Sequence, residues 1–393
     1  MYKSYKTEIK LTSEQISIIE KYFDICVMAY NDYVEYNLHF VDKRRPIVRS
    51  YKYFQLVKEG TIPNKNAEYF RKKEYANALL ESLKNGEKTI FRYIRNKDSR
   101  PKLKKPGTKY VSIHFTASSV GLDRIVCERH RISIPYIGWI RLKEKGYIPC
   151  SNSESIVISG WIKKNAGRYY VVALTKEPEK RIEVNEYTDG IGIDLNINNF
   201  AVLSDGTVFE NINKRESISK LEEKIVRENR KLSRMQRSYE KMDEAQKANC
   251  KRSNYYKTMH EIDTLYHRLE CIRRDYICKC ANEIASKNPK FIAVEDLKVN
   301  EMISDNKFAK YISKELFYEF RLQLAAKAKE RGIEFRVIDK WIPTSKMCHE
   351  CGYIKRNLTV DEREYICPSC GIIVDRDYNA SLNIRDANKY VIW

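Results

Sequence analysis

Residues 190–206 read GIGIDLNINNFAVLSDG, and the fold turns on how this stretch is understood. Two apolar runs, Ile191–Leu195 and Phe200–Leu203, have the length and side chains of β-strands. Asp205-Gly206 before Thr207-Val208-Phe209 is a strong hairpin-turn signal. Asp194 stands inside the first run, where a buried strand tolerates no charge. A buried carboxylate is costly unless a proton, a cation or a hydrogen-bonding partner accompanies it.

Downstream, residues 214–287 predict two long helices rich in both charge signs, joined near Ala245–Asn254. A strand, Phe291–Glu295, follows and ends on a second carboxylate, Glu295. A helix over about 309–331 and a strand at Glu334–Ile338 come next. Strands first, then strands alternating with helices, is the order of a ribonuclease-H-like α/β layer. A third acid, Asp377, lies in VDRDYNAS (374–381), where a loop enters a short C-terminal helix. Three carboxylates brought together from two central strands and a helix start would form an oxygen-rich site suited to Mg²⁺. Two such ions about 3.5–4 Å apart would activate a water and stabilise the leaving 3′ oxygen. Taken singly, Asp194 or Glu295 reads equally well as a satisfied structural acid.

The sharpest local pattern is Cys348-His349-Glu350-Cys351 followed by Cys367-Pro368-Ser369-Cys370. Two CxxC turns complete a closed, tetrahedral, structural Zn²⁺ site. His349, inside the first turn, reads as facing nucleic acid or solvent rather than as a further ligand. The other seven cysteines share no spacing and read as ordinary buried small residues.

Upstream, residues 5–11 alternate like a strand, and Thr12-Ser13-Glu14-Gln15 opens a helical region reaching about Asn96. Arg92 to Lys109 holds eight Lys/Arg against one acid, with Pro101, Pro106 and Gly107 as breakers, and reads as a basic linker. From Tyr110 to about Lys180 the period changes to two, which predicts a small, mostly antiparallel barrel with Trp139 and Trp161 in its core.

Bulk properties agree with several domains and a polyanionic partner. The chain has 393 residues, with 73 Lys+Arg against 53 Asp+Glu, a net charge of +20. No run of about 18 apolar residues suggests a membrane span, and the N-terminus has no secretory h-region. A reducing, cytoplasmic setting is expected, with free thiols and metal ligands rather than disulfides.

At this point a resemblance becomes specific. GIDLNINNFAVLSDG, AVEDL and SKMCHECGYIKRNLTVDEREYICPSCGIIVDRDYNASLNI resemble the three RuvC segments and zinc insertion of TnpB proteins. These are transposon-encoded, RNA-guided nucleases related to the compact type V CRISPR effectors. KTEIKLTSEQ, FTASS at 115–119 and GRYYV at 167–171 extend the likeness weakly over most of the chain.

The resemblance implies an α+β multidomain architecture. A wedge β-barrel (1–12 and 106–180) holds an inserted helical recognition domain with the basic linker (13–105). An RNase H-like (RuvC) α/β nuclease domain (181–341 and 372–393) holds an inserted four-cysteine zinc ribbon (342–371). It further implies that Asp194, Glu295 and Asp377 bind catalytic Mg²⁺, with Asp375 the alternative third ligand. Asn379 would orient a metal-bound water or cap the last helix, and Arg376 would screen the two acids beside it.

The implied partners are a guide RNA from the transposon end and double-stranded target DNA read beside a short flanking motif, on the nucleoid of a prokaryotic cell. Phosphate contacts are expected from Arg92, Arg95, Lys102, Lys104 and Lys105, and from Arg230, Arg234 and Arg237 on the first long helix. Phe115, Thr116 and Ser118 are expected near the flanking duplex. Two rival readings share these features: a nuclease-inactive, RNA-guided DNA binder, and an unguided DNA-binding accessory protein of a transposon. A dead relative should lack at least one of the three acids, and all three are present.

Overall fold

The computed structural model describes residues 2–96, 100–105, 112–117, 124–152, 154–178, 186–296, 316–339, 342–359 and 362–393. The chain divides into two compact units, Met1–Glu179 and Lys180–Trp393. None of the described helices is long and apolar enough to cross a membrane.

In the first unit, strand β1 (Tyr2–Lys10) leads into helix α1 (Ser13–Asp42). The turn is fixed by a capping box: Thr12 Oγ1 accepts from Gln15 N–H, and Gln15 Oε1 accepts from Thr12 N–H. Helices α2 (Ser50–Glu59), α3 (Ala67–Arg71) and α4 (Ala76–Asn96) follow. Then come β2 (Ser112–Thr116), β3 (Val126–Cys127), β4 (Arg131–Ile134), β5 (Gly138–Leu142), β6 (Ile156–Asn165) and β7 (Arg168–Lys176). These strands and β1 form one antiparallel sheet in the order β2-β6-β7-β1-β5-β4-β3. The N-terminal strand is thus central, between β7 and β5, and one continuous apolar core joins the sheet to the helices. Trp139 departs from expectation: it is 41% exposed, and the Arg131 guanidinium covers its ring at 4.3 Å. Its neighbour in sequence, Ile140, takes the inward position on β5.

The second unit is built on a six-stranded mixed sheet. Its strands are β8 (Ile191–Leu195), β9 (Asn199–Leu203), β10 (Val208–Glu210), β11 (Phe291–Glu295), β12 (Glu334–Ile338) and β15 (Tyr390–Ile392). Their order is β10-β9-β8-β11-β12-β15. The first three pair antiparallel, β8, β11 and β12 run parallel, and β15 returns antiparallel. Between β10 and β11 the chain makes α5 (Glu216–Glu240), a short α6 (Glu244–Asn249) and the 34-residue α7 (Ser253–Ser286). Helix α8 (Phe317–Arg331) precedes β12; the expected helix start near 309 lies outside the described residues. A small ribbon, β13 (Glu364–Ile366) with β14 (Ile373–Asp375), leads into α9 (Arg376–Arg385).

Strand alternation sorts the two faces of this sheet. Ile191 and Ile193 of β8, with Ile292 and Val294 of β11, join the core made with α7 and α8. Gly192 and Asp194 therefore point to the other face, where α9 lies. Only glycine permits that approach: a β-carbon at 192 would lie 2.1 Å from the Ser381 carbonyl oxygen and 2.4 Å from the Arg385 nitrogen.

Candidate active site

Register brings the first two acids together. Ile193 pairs with Val294 in the parallel β8–β11 ladder, so Asp194 and Glu295 follow on neighbouring strands with their side chains on the α9 face. Both occupy the C-terminal ends of parallel strands, where open α/β sheets place their sites. Asp377 comes from the first turn of α9 and is 8% exposed.

Each acid is held by a neutral donor or a rim cation. Asn196 Nδ2 donates to Asp194 Oδ2 at 3.0 Å. The Thr344 hydroxyl donates to Glu295 Oε1. Arg363 approaches Asp377 Oδ2 at 3.7 Å. Burial, reinforced by the Glu295 charge and to a lesser extent by Asp377, pushes the Asp194 carboxyl up to about 8 against the opposing Asn196 hydrogen bond. Burial likewise raises Glu295, with Thr344 opposing. Asp377 is raised by burial and by Asp375, while Arg363 and Arg376 pull it down.

The carboxylate oxygens do not all close to within 4.8 Å of one another, as the four cysteine sulfurs do. Buried Asp194 and Asp377 and the partly exposed Glu295 supply hard oxygen donors that fit a divalent cation such as Mg²⁺.

Asp375 has a separate job. It is the N-cap of α9, and its Oδ1 accepts from Tyr378 N–H at 2.9 Å. Asn379 does not cap the helix. Buried at 1% exposure, its Oδ1 accepts from His349 N–H at 3.0 Å and its Nδ2 donates to Met347 O at 2.7 Å. The His349 side chain, partly exposed, lies with Nε2 2.7 Å from Asp386 Oδ2. The Arg376 guanidinium donates to the Thr359 and Glu362 carbonyls, tying α9 to the ribbon.

The four cysteines converge as their spacing predicts, with Sγ atoms within 4.8 Å of one another. Cys348–Cys370 and Cys351–Cys367 sulfurs lie 3.6 and 3.5 Å apart. Tetrahedral Zn²⁺ with Zn–S bonds of ~2.3 Å needs sulfurs about 3.8 Å apart, so the set fits that ion. The two turns are built alike. Gly352 (φ 73°) and Gly371 (φ 77°) take left-handed conformations and donate back to Cys348 O and Cys367 O at 2.9 and 3.0 Å. Burial opposes ionisation of Cys367, but N–H groups of Cys370 and Ser369 donate to its sulfur and bring the thiol down to about 6.

The basic residues separate into two groups. Arg230, Arg234 and Arg237 lie exposed at i, i+4 and i+7 on α5, lining a groove with Tyr266 of α7. Among the described residues none of the three has an acidic partner within 4.0 Å. Arg92 and Arg95 are exposed in the last turns of α4, so the basic segment begins as helix rather than linker.

Lys102 and Lys105 are exposed in the segment beyond. Lys104 is partly exposed: its ammonium lies 4.0 Å over the Tyr30 ring, and its backbone is clamped at both ends by Asn31. Phe115 is 5% exposed, packs against Gly160 and lines a cavity with His114, Thr116 and Tyr136. The Thr116 hydroxyl lies 3.4 Å from the Ile158 carbonyl, and Ser118 lies outside the described residues.

Sequence reasoning missed Thr344, Asn383, Arg363 and Gly192. A signal was available for one of them, since Asn379 and Asn383 recur at i, i+4 on the last helix.

Three family models match: "Helix-turn-helix domain" of the OrfB_IS605 type over residues 1–45, "Probable transposase" (OrfB_IS605) over 170–305, and "Cas12f1-like, TNB domain" over 317–384. The first of these segments is here a strand and one long helix, β1 and α1. The chain is 28% identical over 329 residues to "Putative RNA-guided DNA endonuclease InsQ" of Escherichia coli K12, covering 80% of this chain and 75% of the relative. A Streptomyces pristinaespiralis protein described in the same words, without the gene name, is 25% identical across 98% of this chain and 89% of its own. In fold, the chain resembles Cas12f1 as seen in its complex with single guide RNA and target DNA. That likeness has a TM-score of 0.57 at 15% identity and spans 95% of this chain and 83% of the other.

The chain thus has a Cas12f-like fold and carries segments similar to OrfB_IS605 transposases. Within that likeness, the relatives matched over most of the chain are described as putative RNA-guided DNA endonucleases, in line with the resemblance to TnpB proteins.

Proposed function

We propose that this protein is an RNA-guided DNA endonuclease that hydrolyses target phosphodiesters beside a short flanking motif, using divalent metal held by Asp194, Glu295 and Asp377. The observation that carries the reading is the meeting of three acids on one face of the second-unit sheet, two from adjacent parallel strand ends and one from the helix laid across them. Relatives matched across most of the chain, described as RNA-guided DNA endonucleases, support the substrate class.

The strand order, three antiparallel then two parallel with a final antiparallel edge, supports an RNase H-like (RuvC) domain over 181–341 and 372–393. The division near residue 180 supports the wedge and recognition domains lying before it, over 1–12 with 106–180 and over 13–105. Cys348, Cys351, Cys367 and Cys370 would hold structural Zn²⁺ within the 342–371 insertion.

Bound Mg²⁺ would supply Lewis-acid stabilisation to the scissile phosphate and the leaving 3′ oxygen. The chain's own groups prepare that site. Asn196 and Thr344 fix the carboxylates of Asp194 and Glu295 in orientation. Arg363, half exposed at the rim beside Asp377, offers a guanidinium to an incoming phosphate. Arg92, Arg95, Lys102, Lys105, Arg230, Arg234 and Arg237 would contact phosphates of guide RNA and heteroduplex, with Thr116 and Ser118 near the flanking duplex. The protein would act in the cytoplasm, at the nucleoid.

Protein purified with its guide RNA should cut double-stranded DNA that matches the guide, and only with Mg²⁺ or Mn²⁺ present. Cutting that ignores the guide match, or cutting that persists in Asp194→Ala, would overturn the proposal.

A further inference from the structure

Thr344 links two parts of the second unit that the reading above treats separately. Its hydroxyl donates to Glu295 on β11, and its carbonyl accepts from Asn383 Nδ2 on α9 at 2.8 Å. Three residues further on, Met347 O accepts from Asn383 Nδ2 and Asn379 Nδ2, both at 2.7 Å, and His349 N–H closes the set on Asn379 Oδ1 at 3.0 Å. Cys348 lies inside this clamp. Thr344, Asn379 and Asn383 are 3%, 1% and 3% exposed, and they meet away from solvent. Unpaired buried amides and hydroxyls are costly, so such a network holds one arrangement or none.

From this we infer that Thr344, Asn379 and Asn383 are positioning residues that couple the four-cysteine insertion to the metal-binding acids. The zinc-bound turn fixes the 344–349 segment, the two asparagines lock that segment onto the helix carrying Asp377, and Thr344 aims Glu295. The insertion thus acts as a brace for the site as well as a module with its own small core of Tyr365, Cys348 and Cys367.

The helix geometry supports this division of labour. Asn379 and Asn383 are one turn apart and face the segment, while Asp377, Ala380 and Ile384 form the buried side toward the sheet. No other described side chain donates to Glu295. Groups behind a metal ligand typically alter metal affinity by about 10–100-fold when removed.

The inference rests on the proposed metal-binding role of Asp194, Glu295 and Asp377, and its test separates the two. Mn²⁺ binding to the full-length protein without DNA is measured calorimetrically and by electron paramagnetic resonance, for the wild type, Asp194→Ala, Thr344→Val and Thr344→Ser. Thr344→Val keeps the side-chain shape and removes the donor. It should weaken Mn²⁺ binding about 10-fold, with zinc content and Tm held near wild type. Thr344→Ser should restore binding, and the Mg²⁺ concentration for half-maximal cleavage should shift in parallel.

Asn383→Ala should weaken Mn²⁺ binding while retaining zinc; if that variant fails to fold, the Thr344 pair decides alone. Wild-type affinity in Thr344→Val would overturn the brace and leave the site reading intact. Mn²⁺ binding that Asp194→Ala leaves unchanged would overturn both.

Discussion

Ser381 of α9 rests its carbonyl oxygen where the side chain of residue 192 would be, 2.1 Å from a β-carbon built on Gly192. That contact sets the depth at which the last helix lies on β8, two residues before Asp194. Gly192→Ala must therefore lift α9 or distort β8, because both crowding groups are backbone. The expected loss is about 1–3 kcal/mol of stability or more, with cleavage falling further than stability and zinc content unchanged. Chemical denaturation, metal analysis and a cleavage assay on one preparation check this. Wild-type stability in the alanine variant would refute the close packing.

Loss of any one acid should end cutting while sparing guide and target binding, because binding depends on distant cations and base pairing. Asp194→Ala, Glu295→Ala and Asp377→Ala should each be inactive, and double variants little worse than single ones, since a metal site works as a unit. Asp375→Ala is the contrast. Removing the helix cap should cost about 1 kcal/mol yet leave substantial cleavage. An inactive Asp375→Ala beside an active Asp377→Ala would reverse their roles.

Protonation of Asp194 gives a pH signature in metal-free protein. Its folded carboxyl titrates near 8, far above the unfolded range, so the folded state holds the extra proton. Stability from this group is full at low pH and is lost as pH rises through about 8. Asp194→Asn should flatten that decline between pH 5 and about 8, and Mg²⁺ should do the same for the wild type by stabilising the charged form. Parallel curves for wild type and Asp194→Asn would show that the group titrates normally.

Cys367→Ser should remove zinc and lower Tm together, by roughly 2–4 °C for each kcal/mol lost. Because all four thiols must lose their protons to bind the ion, zinc content should fall as pH is lowered. Zinc-free wild-type protein with an unaltered Tm would exclude a structural role for the ion.

The α5 groove should bind phosphates through Arg230, Arg234 and Arg237. Neutralising all three should reduce the slope of log affinity for guide RNA against log salt by about 2–3. An unchanged slope would return these arginines to the solvent.

Much of this is legible in the sequence. The four-cysteine site follows from spacing alone, the α1 cap from Thr12 and Gln15, and Asp194 and Glu295 stood out as charges in apolar strands. What stayed hidden depends on contacts between distant segments. Nothing local to Lys104 announces Tyr30 and Asn31 as its partners, and the alternation around Phe115 fits either face of a strand. Trp139 misled because large aromatic surface suggests burial, whereas a guanidinium can cover it at the surface. The difference between Asp375 and Asp377, one capping the helix and the other buried, is visible only at the helix start itself.

The two neighbouring parallel strands β8 and β11 are separated in the chain by the α5–α7 hairpin, and α9 comes later still. During synthesis at roughly 5–20 residues per second, about 10–40 s pass between the appearance of Asp194 and that of Asp377. Throughout that interval β8 lacks the helix that Gly192 is shaped to receive, and its carboxylate has no completed neighbourhood. If the three acids form the cutting site as proposed, a nascent chain cannot assemble it until the last helix seats, so cutting competence would arrive late and in one step.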